Sequence, residues 1–437
     1  MDKNISQTPQ TNQKRSLIWH PFTQAKTDPL PLKVKSAQGV WLTLENDRKI
    51  LDVISSWWVN LHGHSHPTIA EAIYEQAKTL EQVIFAGFTH DPAEQLADRL
   101  LTRLPDSLRA VFFSDNGSTA VEVALKMAYQ FWVNQGQKRS AFLAFENAYH
   151  GDTFGAMAVG GRSLFTQPFE DLLVEVDFIP FPETYWGDLR VEETERESLN
   201  RLEKKLQSNP DRYAAILIEP LVQGAAGMRM CRPEFLQQVV QCCRNWNTIV
   251  ILDEVMTGFG RTGDWFACVK ANVSPDIICL SKGLTGGFLP LSVTIATEEI
   301  YQAFYSDDLT KTLYHGHSYT ANPLGCAAGL ASWQLLQLAE PRFRQLEHLH
   351  HHYLTAFQNH PLVNNYRVTG TIAALELKSD RPGYFNKMSS IIRQKAIERG
   401  VLLRPLGTVI YLLPPYCILD SELELVYRVI MEIISEL

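Results

Sequence analysis

Three short stretches carry residues whose types and order could do chemistry together: Asp115-Asn116-Gly117-Ser118, Asp253-Glu254 and Ser281-Lys282-Gly283. Each closes a short apolar run, namely RAVFFSD (109–115), TIVILDE (248–254) and DIICLSK (276–282). Gly117 lets a backbone approach closely, and Ser118 stands where a helix N-cap is expected. Free N–H groups and the positive end of the helix that follows would then cradle a phosphate. A plain Gly-Ser cap is the competing reading. An acid closing an apolar run, as Asp253 does, is costly unless it has a partner. A pyridinium nitrogen is one such partner; a helix cap or a structural ion pair are others. Lys282, set among small residues at a strand end, can reach an aldehyde and form a Schiff base, whereas most lysines are only solvated. Phosphate cradle, acid and lysine in this order make the set that pyridoxal 5′-phosphate chemistry requires.

That set works only if the fold brings three strand ends to one edge. From about residue 66 to 335, apolar strands alternate with helices: HPTIAEAIYEQAKTL is an amphipathic helix opened by Pro67, and AFLAFE (141–146) and AAILIEP (214–220) are further strands. The helix expected over 118–134 has apolar positions 121, 124, 125, 128, 131 and 132 on one face. This alternation predicts an α/β fold with a mostly parallel sheet covered by helices on both faces, and such sheets bind ligands at the carboxyl ends of their strands. Residues 33–60 read as short strands with a turn at Asn46-Asp47, within a stretch, 16–65, assigned to the small domain, and residues 336–437 as an α+β lobe that those strands can join. Residues 1–15 read as a loose polar tail.

At 437 residues the chain is too long for a single core, so a large domain over 66–335 and a smaller one from both chain ends are expected. The net charge of −8 gives no basic footprint for nucleic acid or an anionic membrane. Seven cysteines without a C-x-x-C pair, no apolar signal segment and no run of about 18 apolar residues predict a cytoplasmic protein with reduced thiols. The run Gly258-Phe-Gly-Arg-Thr-Gly263 satisfies G-x-G-x-x-G and raises a dinucleotide oxidoreductase. However, that fingerprint requires a direct turn into a helix and an acid ending the next strand, and here the next strand ends in Lys282. The histidines at 62, 64 and 66 and at 348, 350, 351 and 352 could suggest a metal. The second group reads as the solvated face of a polar helix, and no metal is expected.

The runs LDEVMTGFGRTG and SKGLTGGFLPLS resemble the class III family of pyridoxal 5′-phosphate-dependent aminotransferases, fold type I, and the resemblance extends over nearly the whole chain. The stretches IWHPFTQ (18–24), SSWWVNLHGHSHP (55–67), YHGDTFGAM (149–157), HGHSYTANPLGCA (315–327) and RPLGTVIYLLPP (404–415) are most similar to the branch of biotin synthesis that converts 8-amino-7-oxononanoate to 7,8-diaminononanoate. The resemblance implies Lys282 as Schiff-base lysine and proton carrier, Asp253 on the pyridine nitrogen, Tyr149 stacked on the ring, and Gly117 and Ser118 on the phosphate. It further implies that His317 and Ser318 reach in from the second subunit of a homodimer. Trp57 and Trp58 would wall the substrate pocket, Gly316 would contact substrate, and Arg404 would take the oxononanoate carboxylate through its planar fork. Phe22 stands where many members carry Tyr, which removes a hydroxyl from the donor side and leaves the donor open between S-adenosylmethionine and lysine. Ser318 stands where Thr is common and keeps the hydroxyl. Glu219 and Gln223 lie near the site without an assigned role. Within the family, an enzyme of an ω-amino acid, ornithine or 4-aminobutyrate is the alternative.

Overall fold

The computed structural model describes residues 16–379 and 387–437; the polar tail expected over 1–15 lies outside them. The chain opens with three antiparallel strands, β1 (Val34–Gln38), β2 (Trp41–Leu44) and β3 (Lys49–Asp52). The expected turn at Asn46-Asp47 joins the last two, with Asp47 at φ 62°.

The middle of the chain builds a seven-stranded sheet from β4 (Leu108–Ser114), β5 (Ala141–Phe145), β6 (Val176–Ile179) and β7 (Tyr213–Ile218), then, after a small ribbon of β8 (Val222–Gln223) and β9 (Arg229–Met230), from β10 (Ile249–Asp253), β11 (Ile277–Leu280) and β12 (Ser292–Thr297). In space the order is β4-β12-β11-β10-β7-β5-β6, and all but β12 point the same way. Side chains alternate between the two faces of a strand. Ile216, Ile218, Val250, Leu252, Ile278 and Leu280 therefore join one core, and Ala215, Leu217, Ile249, Ile251, Ile277 and Cys279 the other. A sheet covered on both faces has to be apolar throughout, which is why these strands read as continuous apolar runs. Two strands are not anticipated by the sequence. β6 is a four-residue edge strand, and β12 follows the Lys282 segment with no full helix between them.

Helix Gly117–Asn134 buries Val121, Ala124, Leu125, Ala128, Phe131 and Trp132, the face its periodicity predicts. Its start differs from expectation. Asn116, not Ser118, is the N-cap: its side chain accepts from Thr119 N at 3.0 Å, and the Thr119 hydroxyl accepts from Asn116 N at 3.1 Å. Asparagine caps as well as serine does, and with Thr at N3 the reciprocal pair forms first, so Ser118 falls inside the first turn.

Beyond helix Pro323–Leu354 come β13 (Val363–Thr369), β14 (Ile372–Leu377), β15 (Val401–Leu402) and β16 (Val409–Leu412). β13, β14 and β16 form one antiparallel sheet, while β15 pairs in parallel with β3, so a single sheet holds both ends of the chain. The His-rich helix is not wholly solvated as its polarity suggested. His350 is fully buried, with Nδ1 2.6 Å from the Tyr427 hydroxyl and Nε2 3.2 Å from the Thr371 carbonyl.

Candidate active site

Because β4, β5, β7, β10 and β11 are parallel, the residues that follow them share one edge. Asp253, the last residue of β10, is 5% exposed. One carboxylate oxygen accepts from Val255 N at 3.0 Å, and the other lies 2.7 Å from His150 Nδ1. His150 is itself buried, and its second ring nitrogen, Nε2, has no partner among the described residues. Lys282 stands just past neighbouring β11 in a left-handed conformation, φ 47°. It is partly buried, with Nζ 4.8 Å above the Trp58 ring. Burial pushes its ammonium below the usual lysine range, against the opposing pull of Asp253 and Glu219.

The helix start at Gly117 is set hard against the end of β10. A Cβ at Gly117 would come 2.7 Å from Val255 Cγ1, so any other residue must push aside the side chain two residues after Asp253. The Ser118 hydroxyl accepts from Asp152 N at 3.3 Å, which brings the Tyr149 loop over the helix start. The Tyr149 hydroxyl donates to Asp152 at 3.1 Å, and burial followed by Asp152 raises the phenol well above its ordinary range. Tyr149 N donates to Glu219 at 3.0 Å. Burial pushes the Glu219 carboxyl up to about 7.

The opposite wall comes from the other lobe. Asp52, fully buried at the end of β3, accepts from Ile54 N (3.1 Å) and Ser56 N (2.6 Å) and meets His64 Nε2 at 2.9 Å. These bonds hold a coil in which Ser55, Ser56 and Trp58 all have positive φ. Trp58 is buried, its indole N–H donating to the Tyr411 hydroxyl at 3.0 Å. Trp57 is 40% exposed, with Phe22 at 5.6 Å and the Arg404 guanidinium 4.7 Å over its ring. Phe165 closes this corner against Phe22 at 5.8 Å. An apolar slot with a cation at its end suits a chain that finishes in a carboxylate.

The family model of the class-III aminotransferases matches residues 22–434. The chain belongs to that family. It is 58% identical over 96% of its length to the adenosylmethionine-8-amino-7-oxononanoate aminotransferase of Synechococcus elongatus, 99% of which is covered. With its Geobacter sulfurreducens namesake the identity is 39% over 94% of each chain. The crystal structure of adenosylmethionine-8-amino-7-oxononanoate aminotransferase from Methanocaldococcus jannaschii superposes with a TM-score of 0.90 at 36% identity, covering 96% of this chain and 97% of that one. A PLP-bound amine transaminase from an uncultivated Pseudomonas species superposes with a TM-score of 0.89 at 28% identity, covering 96% and 99%.

Within this aminotransferase, the single chain gathers Gly117, Ser118, Tyr149, Asp253, Lys282 and Trp58 at the sheet edge, and Trp57, Phe22 and Arg404 beside them. Gly316, His317 and Ser318 lie apart, in a loop before helix Pro323–Leu354. The Ser318 carbonyl accepts from Gln82 at 2.7 Å, and His317 Nε2 is buried with no partner among the described residues. The G-x-G-x-x-G run is a series of turns, with Arg261 fully buried, and no helix starts there. Among the described residues no three His, Cys, Asp or Glu side chains are grouped to hold a metal, and no helix is long and apolar enough to cross a membrane. The sequence reading missed His150 and Asp52. Asp52 carried the same signal as Asp253, an acid closing an apolar strand, and His150 sits beside Tyr149 in the quoted YHGD run.

Proposed function

We propose that this chain uses pyridoxal 5′-phosphate to convert 8-amino-7-oxononanoate to 7,8-diaminononanoate, with S-adenosylmethionine or lysine as amino donor. The observation that carries the reading is the pairing of Asp253 and Lys282 at the ends of adjacent strands, the lysine held over Trp58 with no ion pair to any described carboxylate. The fit is good on three counts. A recessed ammonium of lowered pKa is a ready amine nucleophile. A buried carboxylate steadied by His150 suits a protonated ring nitrogen. The capped start of helix Gly117–Asn134 offers N–H groups to a phosphate.

When bound, the cofactor supplies an aldehyde for the travelling amino group and a ring that holds the electrons released at Cα. Lys282 would hold the cofactor by its aldehyde, and its freed amine would be the base that moves the substrate proton. Asp253 would face the ring nitrogen and favour its protonated form. Tyr149 would cover the ring face, and Gly117 and Ser118 would hold the phosphate, joined by His317 and Ser318 of a second copy in a homodimer. Trp57 and Trp58 line the aliphatic part of the oxononanoate, Gly316 contacts it, and Arg404 binds its carboxylate bidentately. Phe22, packed on Trp57, borders the donor. The reaction is ping-pong, since donor and acceptor use the same cleft in turn, and the protein works in the cytoplasm.

The test is an absorbance spectrum of the cofactor-loaded protein, titrated separately with S-adenosylmethionine and with lysine. A near-visible band that bleaches with one donor, and returns when the oxononanoate is added, supports the assignment and names the donor. If only ω-amino acids bleach the band, the substrate assignment fails; without any such band the cofactor assignment fails.

A further inference from the structure

Glu219 stands at the point where β7 leaves the sheet. Pro220 and Leu221, the latter at φ 66°, reverse the chain so that β8 comes back around the Glu219 side chain. Glu219 is 5% exposed and divides its two carboxylate oxygens between a distant segment and the turn that follows it. Oε1 accepts from Tyr149 N at 3.0 Å, and Oε2 accepts from Gly224 N at 2.9 Å. Gly224 in turn packs under Trp58: a Cβ there would come 3.1 Å and 3.2 Å from two atoms of the indole ring and 3.0 Å from Met256 Cε. One buried acid therefore touches the backbone of one wall of the cleft and the support of the other.

We infer that Glu219 is a positioning residue that fixes Tyr149 and, through Gly224, Trp58 in register with each other across the site. The inference rests on the proposed function only in taking Tyr149 and Trp58 as the two walls. The groups facing the carboxylate are the Tyr149 phenol, His150, Asp253 and Lys282. None of them is hydrogen-bonded to it, so the oxygens are committed to the two amides. A second tie runs beside the first, from the Gln223 side-chain amide to the Glu146 carbonyl at 3.1 Å. Because that tie joins the same two segments, loss of Glu219 loosens the walls without releasing β8 from the molecule.

Amide hydrogen exchange on the cofactor-free protein reads the clasp directly. In wild type the Tyr149 and Gly224 amides are both protected. Above about pH 8, where the wild-type carboxyl is ionised, Glu219→Gln leaves only one oxygen as an acceptor, so one of the two loses roughly ten- to hundredfold of its protection, as expected for a hydrogen bond to a charged group. In Glu219→Ala both lose it, while amides of β7 and β10 keep theirs. In the loaded enzyme, Glu219→Gln lowers kcat of both half-reactions by about tenfold with KM values within about threefold, the pattern of lost alignment, not lost binding. Unchanged protection at both amides in Glu219→Gln overturns the inference, as does an effect confined to KM. Exchange that spreads through β7 also overturns it, since Glu219 would then be holding the sheet. If Glu219→Ala does not fold, Glu219→Gln alone decides. The exchange arm needs no cofactor or substrate, so failure of the aminotransferase reading, seen as the missing absorbance band, is a separate result.

Discussion

Replacing Lys282 with Met separates what the lysine does for chemistry from what it costs the fold. The substitution keeps most of the side-chain volume and removes the charge. A volume-conserving exchange costs less than about 1.5 kcal/mol, and here it also removes an ammonium that burial disfavours and no described carboxylate pairs with. Apo stability at neutral pH is therefore expected to stay within about 1 kcal/mol of wild type or to exceed it. The sign of the pH dependence follows from linkage. The folded lysine binds its proton less tightly than the unfolded one, whose ordinary value is 10.5. The charge thus costs stability in full below the folded pKa, the cost declines as pH rises through it, and it is gone above 10.5. Urea midpoints of both apo proteins, taken from about pH 7 to about pH 10, should show wild type gaining on Lys282→Met as pH rises; groups distant from Lys282 cancel in the difference, while Asp253 and Glu219, which act on it, do not. Turnover of the loaded variant should fall by at least about 10⁴-fold, the upper end for loss of a positioned proton carrier. A flat difference across pH would refute the desolvated ammonium. Turnover within about a hundredfold of wild type would refute Lys282 as base and anchor.

Arg404→Ala should raise KM for the oxononanoate by about ten- to a hundredfold, the loss expected for charge-assisted hydrogen bonds, with the donor half-reaction changed by less than about threefold; equal effects on both substrates remove the proposed role. Gly117→Ala should weaken cofactor binding and cost about 1–3 kcal/mol by overpacking against Val255, with partial recovery in Gly117→Ala/Val255→Ala measured by cofactor titration. Phe22→Tyr restores a hydroxyl beside Trp57 and should shift the ratio of half-reaction rates toward S-adenosylmethionine; an unchanged ratio dismisses Phe22 as the donor determinant. Mixing inactive Lys282→Ala with inactive His317→Ala, under conditions that exchange subunits, should restore roughly a quarter of wild-type activity, because half of the dimers then carry one intact site. No recovery argues that His317 serves its own chain.

The parts of the site legible in the sequence are those where burial and chemistry conflict. An acid or a lysine closing an apolar strand is anomalous by itself, so Asp253 and Lys282 could be picked out before the strands were placed. The core face of helix Gly117–Asn134 was legible for the same reason, because its apolar spacing has a single period. What escaped were features set by small differences between similar residues. Asn116 and Ser118 compete for the same cap, and Thr119 decides it through a bond invisible until the turn is formed. His350 looked solvated because its neighbours are polar, yet it faces inward toward Tyr427 and Thr371. Its fate depends on an element more than seventy residues away. Glu219 was visible as an acid near a strand end, but its two backbone partners arrive from opposite directions along the chain.

Asp52 and Asp253 show why the same sequence signal leads to different roles. Both are acids at the end of an apolar strand, and both are almost free of solvent. Asp52 commits its oxygens to the residues just after it and to His64, and so holds a coil where three non-glycine residues are left-handed. Each such residue costs of order 1–3 kcal/mol and persists only where the surroundings over-determine it. Phe22 and Lys282 are left-handed too. Positive φ also occurs elsewhere in the chain, at Asp47, Asn247 and Asn272 among others, so it does not by itself mark the site; at Ser55, Ser56 and Trp58 the acid at 52 is one of its restraints. Among the described residues Asp253 bonds to Val255 N and His150, and the Nε2 of His150 has no partner. An acid with all its acceptors committed to its own loop is a brace. An acid whose neighbour still has hydrogen-bonding capacity, one strand away from a lysine with no ion pair among the described residues, is the one on which the proposed function rests.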